Sequence, residues 1–406
     1  MSPAAEPMIA PRPLEGIRVL DLSRVLAGPF CTMNLADLGA EVIKIEMPGR
    51  GDDSRGYAPR IPESHDSGYF YSVNRGKRSV TLDLHQPAGA EILLALAQHA
   101  DVVVENFSPG TMARFGLGFE RLRAANPRII LCSISGFGQT GPMAAAPAYD
   151  IVAQALGGTM SVTGEAGGAP MRCGVSIGDL AAALYAVVAI LAALRTRDLT
   201  GGGQHLDIAM LDCQVAWLED ALARYSATGR VPGPIGSRHP SITPFQQFRA
   251  ADDYFVAGCG NEAIWARFCD AIELPEIKHD PRFATNADRT AHHAELEPLL
   301  ADHFARQPRA HWLARLEAAS VPCAPIATVA EVTRNPHLAE RQMVLRADHP
   351  SFPDLIVPGS PLKVVGANGV PNTRAPQLGE DTDQVLARLL GYDAVRLAEL
   401  RTQRTI

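Results

Sequence analysis

Asp179 stands in RCGVSIGDLAAALYAVVAILAAL, directly before an apolar stretch that runs from Leu180 to Leu194. A carboxylate at such a place has two uses. As an N-cap it accepts hydrogen bonds from the first-turn amides of a helix. As a nucleophile, held at the positive end of that helix beside a glycine turn, it stays ionised in an apolar pocket and attacks an electrophilic carbonyl. The two uses are compatible, and the pattern alone does not choose between them. Two glycine-rich loops, GFGQTGP (Gly136–Pro142) and TGEAGGAP (Thr163–Pro170), could offer backbone N–H groups to an anion or serve as ordinary turns.

Several chemistries lack their residues. The turn after the first strand candidate, SRVLAGPF, holds one glycine, so the Gly-x-Gly-x-x-Gly fingerprint of a nicotinamide dehydrogenase is missing. Glu46, where a ribose-binding acid would end the second strand, reads as a solvated strand-end carboxylate. There is no Walker A motif and no His-Glu-x-x-His pair, and the adjacent His292 and His293 point to different sides of a helix. The Arg75, Lys77 and Arg78 cluster reads as a phosphate contact or a solvated turn. The seven cysteines are scattered, with no Cys-x-x-Cys, which suits a reducing compartment.

The elements that must position Asp179 are legible in outline. Ile17–Leu22, Ala40–Glu46, Ser79–Leu84, Asp101–Phe107 and Arg128–Ile134 are short β-branched runs. Helices are expected between them, from about Pro29 to Leu38 and from Pro87 to His99, because Pro suits a first turn and Gly a stop. Alternation of this kind predicts an α/β fold with a mainly parallel sheet, which binds ligands at the carboxyl ends of its strands. Gly201–Leu211 carries a further turn and strand, followed by a helix over CQVAWLEDALARYSA. PGPIGSRHPSITP (Pro232–Pro244) is the best linker candidate. Beyond it a strand at Asp253–Cys259 and helices at Asn261–Ile272 and His292–Arg306 describe a smaller α+β domain, and the tail ends in a helix, Asp381–Leu390. The expected organisation is residues 1–220 as the first part of the large domain, 221–245 as linker, 246–325 as the small domain, and 326–406 as a return to the large domain.

Composition fits that plan. The chain has 406 residues, 47% hydrophobic and 20% charged, enough to bury a sizeable core. Its net charge of −7 and lack of a basic block weigh against nucleic acid as a partner. The fifteen-odd apolar residues from Leu180 are short for a membrane span and read as a buried helix. The opening MSPAAEPMIAPRPLEG lacks the apolar run of a signal peptide, so a cytoplasmic setting is expected.

Taken in order, GIRVLDLSRVLAGP, GAEVIKIE, NRGKRSVTLDL, DVVVENFSPG, SISGFGQTGP, YDIVAQA and the Gly-Asp of SIGDLAAALYA resemble the class III CoA-transferase family, with RHPSITPF, DPRFATNADR and APQLGEDT extending the match into the tail. The resemblance implies an enzyme that moves coenzyme A from an acyl-CoA to a free carboxylic acid. CoA is then substrate and product, with no resident cofactor, metal or ATP. It implies a large Rossmann-like domain built from both chain ends, a smaller inserted domain, and an interlocked homodimer. Asp179 matches the family's catalytic aspartate, which forms an acyl–aspartyl anhydride and an aspartyl–CoA thioester. Leu26 and Ala27 match CoA contacts, and Leu82 matches an adenosine-side contact. Asn106, Phe107 and Ser108 match the loop after the fourth strand. Arg114 matches a basic residue near the CoA phosphates, and Tyr149 and Asp150 match a segment at the thiol end.

Two departures matter. Leu26 replaces a glutamine of formyl-CoA transferase and Met47 an arginine that contacts CoA, so the chain is more similar to succinyl-CoA:dicarboxylate members. Arg172 and Arg238 are then candidates for gripping a distal carboxylate, or are surface ion pairs. The rival readings are a 2-methylacyl-CoA racemase, which needs a His where Tyr149 stands, and a non-catalytic acyl-CoA-binding protein.

Overall fold

Strands form where β-branched and aliphatic residues run without a break, because a strand buried on both faces has no polar side. In the computed structural model, which describes residues 12–62, 67–350, 352–363 and 372–406, six strands make one sheet, and its inner strands are the richest in such runs. They are β1 (Arg18–Asp21), β2 (Glu41–Glu46), β3 (Arg78–Thr81), β4 (Val102–Glu105), β5 (Ile130–Ser135) and β6 (His205–Ala209). All five pairings are parallel and the order is β3-β2-β1-β4-β5-β6. Strand order reverses between β1 and β4, which opens a crevice at their carboxyl ends.

Alternation along the strands divides the core in two. Val19, Val102, Val104, Ile130 and Cys132 face one side, against the helices Ala27–Asp37 and Ile177–Thr200. Leu20, Val103 and Leu131 face the other, against the helix Pro87–Ala97 and the C-terminal helices Thr382–Leu390 and Ala394–Thr402. The sheet belongs to a compact unit comprising the described residues up to Thr159, Arg172–Ala223 and those from Pro336 onward.

A second compact unit holds Met160–Met171 and Arg224–Asn335. Its antiparallel sheet, β7 (Phe245–Arg249), β8 (Tyr254–Gly258) and β9 (Cys323–Pro325), carries Phe248 and Phe255 into a core with Trp265, Phe268, Phe304 and Trp312.

Several sequence expectations are corrected. The helix that starts near Asp179 is 24 residues, Ile177–Thr200, and by length and composition it is apolar enough to cross a bilayer. It continues past Leu194 because the charged Arg197 is buried on an ion pair with Asp101 at 2.7 Å. The helix after β6 is two helices, Met210–Ala216 and Ala221–Thr228, and the tail holds a second helix that its polar sequence conceals. Glu46 is not solvated: it is buried against Arg55 at 2.7 Å and takes the Ser79 hydroxyl. Arg75, Lys77 and Arg78 form neither a phosphate site nor a solvated turn. Arg75 is buried on Asp37, Lys77 is buried on Asp21, and Arg78 pairs with Asp381.

Candidate active site

The crevice is walled by the loops that leave β1 and β4. Asn106 ties them together: its side-chain oxygen accepts from the Arg24 N–H and its amide donates to the Arg24 carbonyl, both at 2.8 Å. Just beyond, Val25 takes a left-handed backbone (φ 68°), and Leu26 turns directly into the helix Ala27–Asp37. Leu26, Ala27, Asn106, Phe107, Ser108, Tyr149, Asp150 and Asp179 all line one cleft of about 390 Å³. Arg24 and Phe107 are shared with a second, mainly apolar cavity of about 150 Å³ that contains Leu82, Leu84, Phe115 and Met47.

Asp179 is the third residue of its helix, not its cap; Ser176 holds the cap position and makes no side-chain bond. The cap comes from elsewhere. Asp150, first residue of the helix Asp150–Leu156, accepts from the Gly178 N–H at 2.8 Å through one oxygen and from the Gln154 amide at 2.7 Å through the other. A Cβ at position 178 would lie 2.9 Å from that first oxygen, which accounts for glycine before Asp179.

With its helix capped by another residue, Asp179 is left over. No hydrogen bond from the described residues restrains its carboxyl group. Burial, and secondly the charge of Asp150, push its pKa up to about 7. The carboxyl group is therefore only partly ionised near neutrality, because desolvation and a like charge both favour its protonated form. Such a group titrates near neutrality, where a small change in surroundings converts it into a poorly solvated nucleophile.

A profile described as CoA-transferase family III matches residues 14–382. The chain belongs to CoA-transferase family III. It is 44% identical to the acetyl-CoA:oxalate CoA-transferase of Acetobacter aceti over 371 residues, covering 91% of this chain and 93% of that one. It is 40% identical to the succinyl-CoA:glutarate CoA-transferase of Mus musculus over 389 residues, covering 96% and 89%. Among solved structures, a CAIB/BAIF family protein from Brucella suis aligns with a TM-score of 0.84 at 38% identity, covering 94% of this chain and all of that one.

Within this CoA-transferase the remaining candidates separate. Arg114 lines neither cavity; it donates to Thr111, which does, at 2.6 Å. Arg172 lies 3.5 Å from Asp150 and is half exposed. Arg238 belongs to the second unit, where its charge lowers the pKa of His293, after burial. Two amides of the loop Gly136–Pro142 have acceptors within the protein: Gly138 donates to the Ser135 hydroxyl and Gln139 to the Asp207 carboxylate.

Sequence reasoning missed Arg24, Arg50, Asp52 and Tyr57, which all line the two cavities. Arg24 sits inside the SRVLAGP segment, so its placement beside Leu26 was a readable signal. Asp52 carries none, because its partners are distant in sequence.

Proposed function

We propose that this protein transfers coenzyme A from succinyl-CoA, or a similar acyl-CoA, to a free dicarboxylic acid, with Asp179 as the covalent carrier. The observation that carries this reading is a carboxyl group without a hydrogen-bond partner among the described residues, in a cleft lined by seven other residues that the family resemblance marks as CoA-side. The named acceptors of the relatives, oxalate and glutarate, are dicarboxylates.

An Asp179 oxygen attacks the thioester carbonyl; the C–S bond breaks, giving an anhydride and CoA thiolate. The thiolate attacks the aspartyl carbonyl, the donor acid leaves, and an aspartyl–CoA thioester forms. The acceptor carboxylate displaces the thiolate to give a second anhydride. The thiolate then takes the new acyl group and Asp179 is restored. One thioester replaces another, so no outside energy source is required. Amides at the start of the helix Ala27–Asp37, which no side chain caps, are the natural donors to the developing oxyanion. Arg24 and Arg50, on the rim of the apolar cavity, supply the positive charge for CoA phosphates that Met47 does not.

A proton-swapping racemase would need a second base opposite Asp179, and among the described residues the cleft lining contains no histidine. An interlocked homodimer belongs to the same proposal. It is supported by the apolar side chains of Leu184, Tyr185, Val188 and Leu191, which the single chain leaves exposed on the long helix.

Incubation with succinyl-CoA and a panel of carboxylic acids, followed by mass spectrometry, is expected to yield a new CoA ester with at least one dicarboxylate. Absence of any new ester with every donor and acceptor contradicts the proposal. The rate of the first half-reaction is expected to rise with pH through about 7, because attack requires the ionised Asp179. Asp150→Asn keeps a capping group but removes a like charge, so its rate profile should rise at lower pH. An unmoved profile would assign the titration to another group.

A further inference from the structure

We propose that Asp52 is a positioning residue for the transfer reaction: it holds Val25 in a left-handed backbone so that Leu26 and Ala27 face the cleft that contains Asp179. The inference rests on the transferase reading given above.

A β-branched residue at positive φ is a true outlier, and it persists only where its surroundings over-determine it. The Val25 N–H donates to both oxygens of Asp52, at 3.1 and 3.3 Å. Asp52 is itself fixed from every side. Ser54 donates to it through backbone and hydroxyl, at 2.8 and 2.7 Å, and its own N–H donates to Glu46 at 2.9 Å. The Lys44 ammonium lies 2.8 Å from Asp52, with both side chains fully buried. The same ammonium donates to the Ser23 carbonyl at 2.8 Å. One buried ion pair therefore grips the loop at Ser23 and at Val25, on either side of Arg24.

Stability alone does not call for charges here. A buried ion pair is often no better than apolar residues of similar volume, and its best-attested use is to fix one geometry. A carboxylate offers two acceptors to a strained amide, and the neighbouring ammonium keeps it ionised. Burial alone would raise the Asp52 pKa, but Lys44 and Ser54 outweigh it and hold the group below its usual range. The residues after Val25 take the consequence. Leu26 is the N-cap of the helix Ala27–Asp37, and Phe30 donates to its carbonyl at 2.8 Å. A change of φ at Val25 therefore swings the first residues of that helix out of the cleft wall.

The test uses the full chain and the donor–acceptor pair that the panel identifies. Asp52→Ala and the charge-balanced pair Lys44→Met/Asp52→Ala should lower kcat by roughly 10- to 100-fold, the scale of one strained residue. CoA affinity, measured by calorimetry, should fall by a smaller factor than kcat, because Leu26 and Ala27 are only part of the CoA contacts. The paired variant leaves no unpartnered ammonium and keeps the test valid if the single variant does not fold. Glycine takes positive φ without strain. Adding Val25→Gly to either variant should thus recover at least about tenfold in kcat without raising Tm. A folded Asp52 variant with wild-type kcat overturns the inference, and so does a defect that Val25→Gly leaves in place. If the wild-type protein transfers no CoA at all, the transferase reading itself fails, an outcome visible before any variant is made.

Discussion

Asp179→Asn is expected to abolish CoA exchange, by at least about 1,000-fold, and to leave the protein folded. Asparagine matches the shape of aspartate but cannot form the anhydride. The fold should tolerate the change, because Asp179 neither caps its helix nor makes a hydrogen bond among the described residues. Stability should in fact move the other way. With a folded pKa of about 7 against a usual 3.8, the native state binds more protons than the unfolded state across that window. Wild-type stability therefore falls as pH rises through it. The Asn variant escapes this cost, so it should melt at a higher temperature than the wild type at pH 8. Below pH 4 the two should converge. Steady-state exchange and Tm across pH read both effects; a variant that is inactive and also less stable at pH 8 would indicate a structural role.

Asp21→Ala is the largest expected loss of stability, about 3–5 kcal/mol at neutral pH. Asp21 ends β1 with its side chain fully buried and accepts from Lys77 at 2.8 Å, from Thr32 at 2.7 Å and from Ser23. Removing it strands the ammonium of Lys77, which is also fully buried. Burial already lowers the Lys77 pKa to about 8, against the opposing charge of Asp21. Without that charge it falls further, and the folded variant releases a proton that the unfolded chain keeps. Variant stability should then rise by about 1.4 kcal/mol per pH unit above the new pKa. The deficit should narrow up to about pH 8, where wild-type Lys77 begins to titrate too. Denaturation at pH 6 and pH 8 checks it; a deficit that does not narrow would show that Lys77 is not the stranded charge.

What was legible in the sequence follows from the range of the signals. The inner strands of the large sheet read directly, because burial on both faces favours an aliphatic run, and Val19 and Leu20 do go to opposite cores. Gly39 was read as a helix stop and takes φ 110° just past Leu38. The charged residues were misread for the opposite reason. Lys77 and Asp21 are 56 positions apart, and Asp150 caps a helix 28 positions on, so no local pattern reveals that these charges are buried and paired. Asp179 was found through the order of the motifs around it. Its freedom from capping was hidden, because the residue that releases it sits on another helix. The strain at Val25 was invisible for a similar cause: nothing in SRVLAGP announces a left-handed valine, and the Asp52 that holds it lies 27 positions away.

Trapping the carrier during turnover decides most directly whether Asp179 bonds to the substrate. Enzyme mixed with an active acyl-CoA donor, quenched with hydroxylamine and digested, should yield a peptide with a hydroxamate on Asp179, absent when donor is omitted. Unmodified Asp179 in enzyme that is demonstrably exchanging CoA would contradict the account.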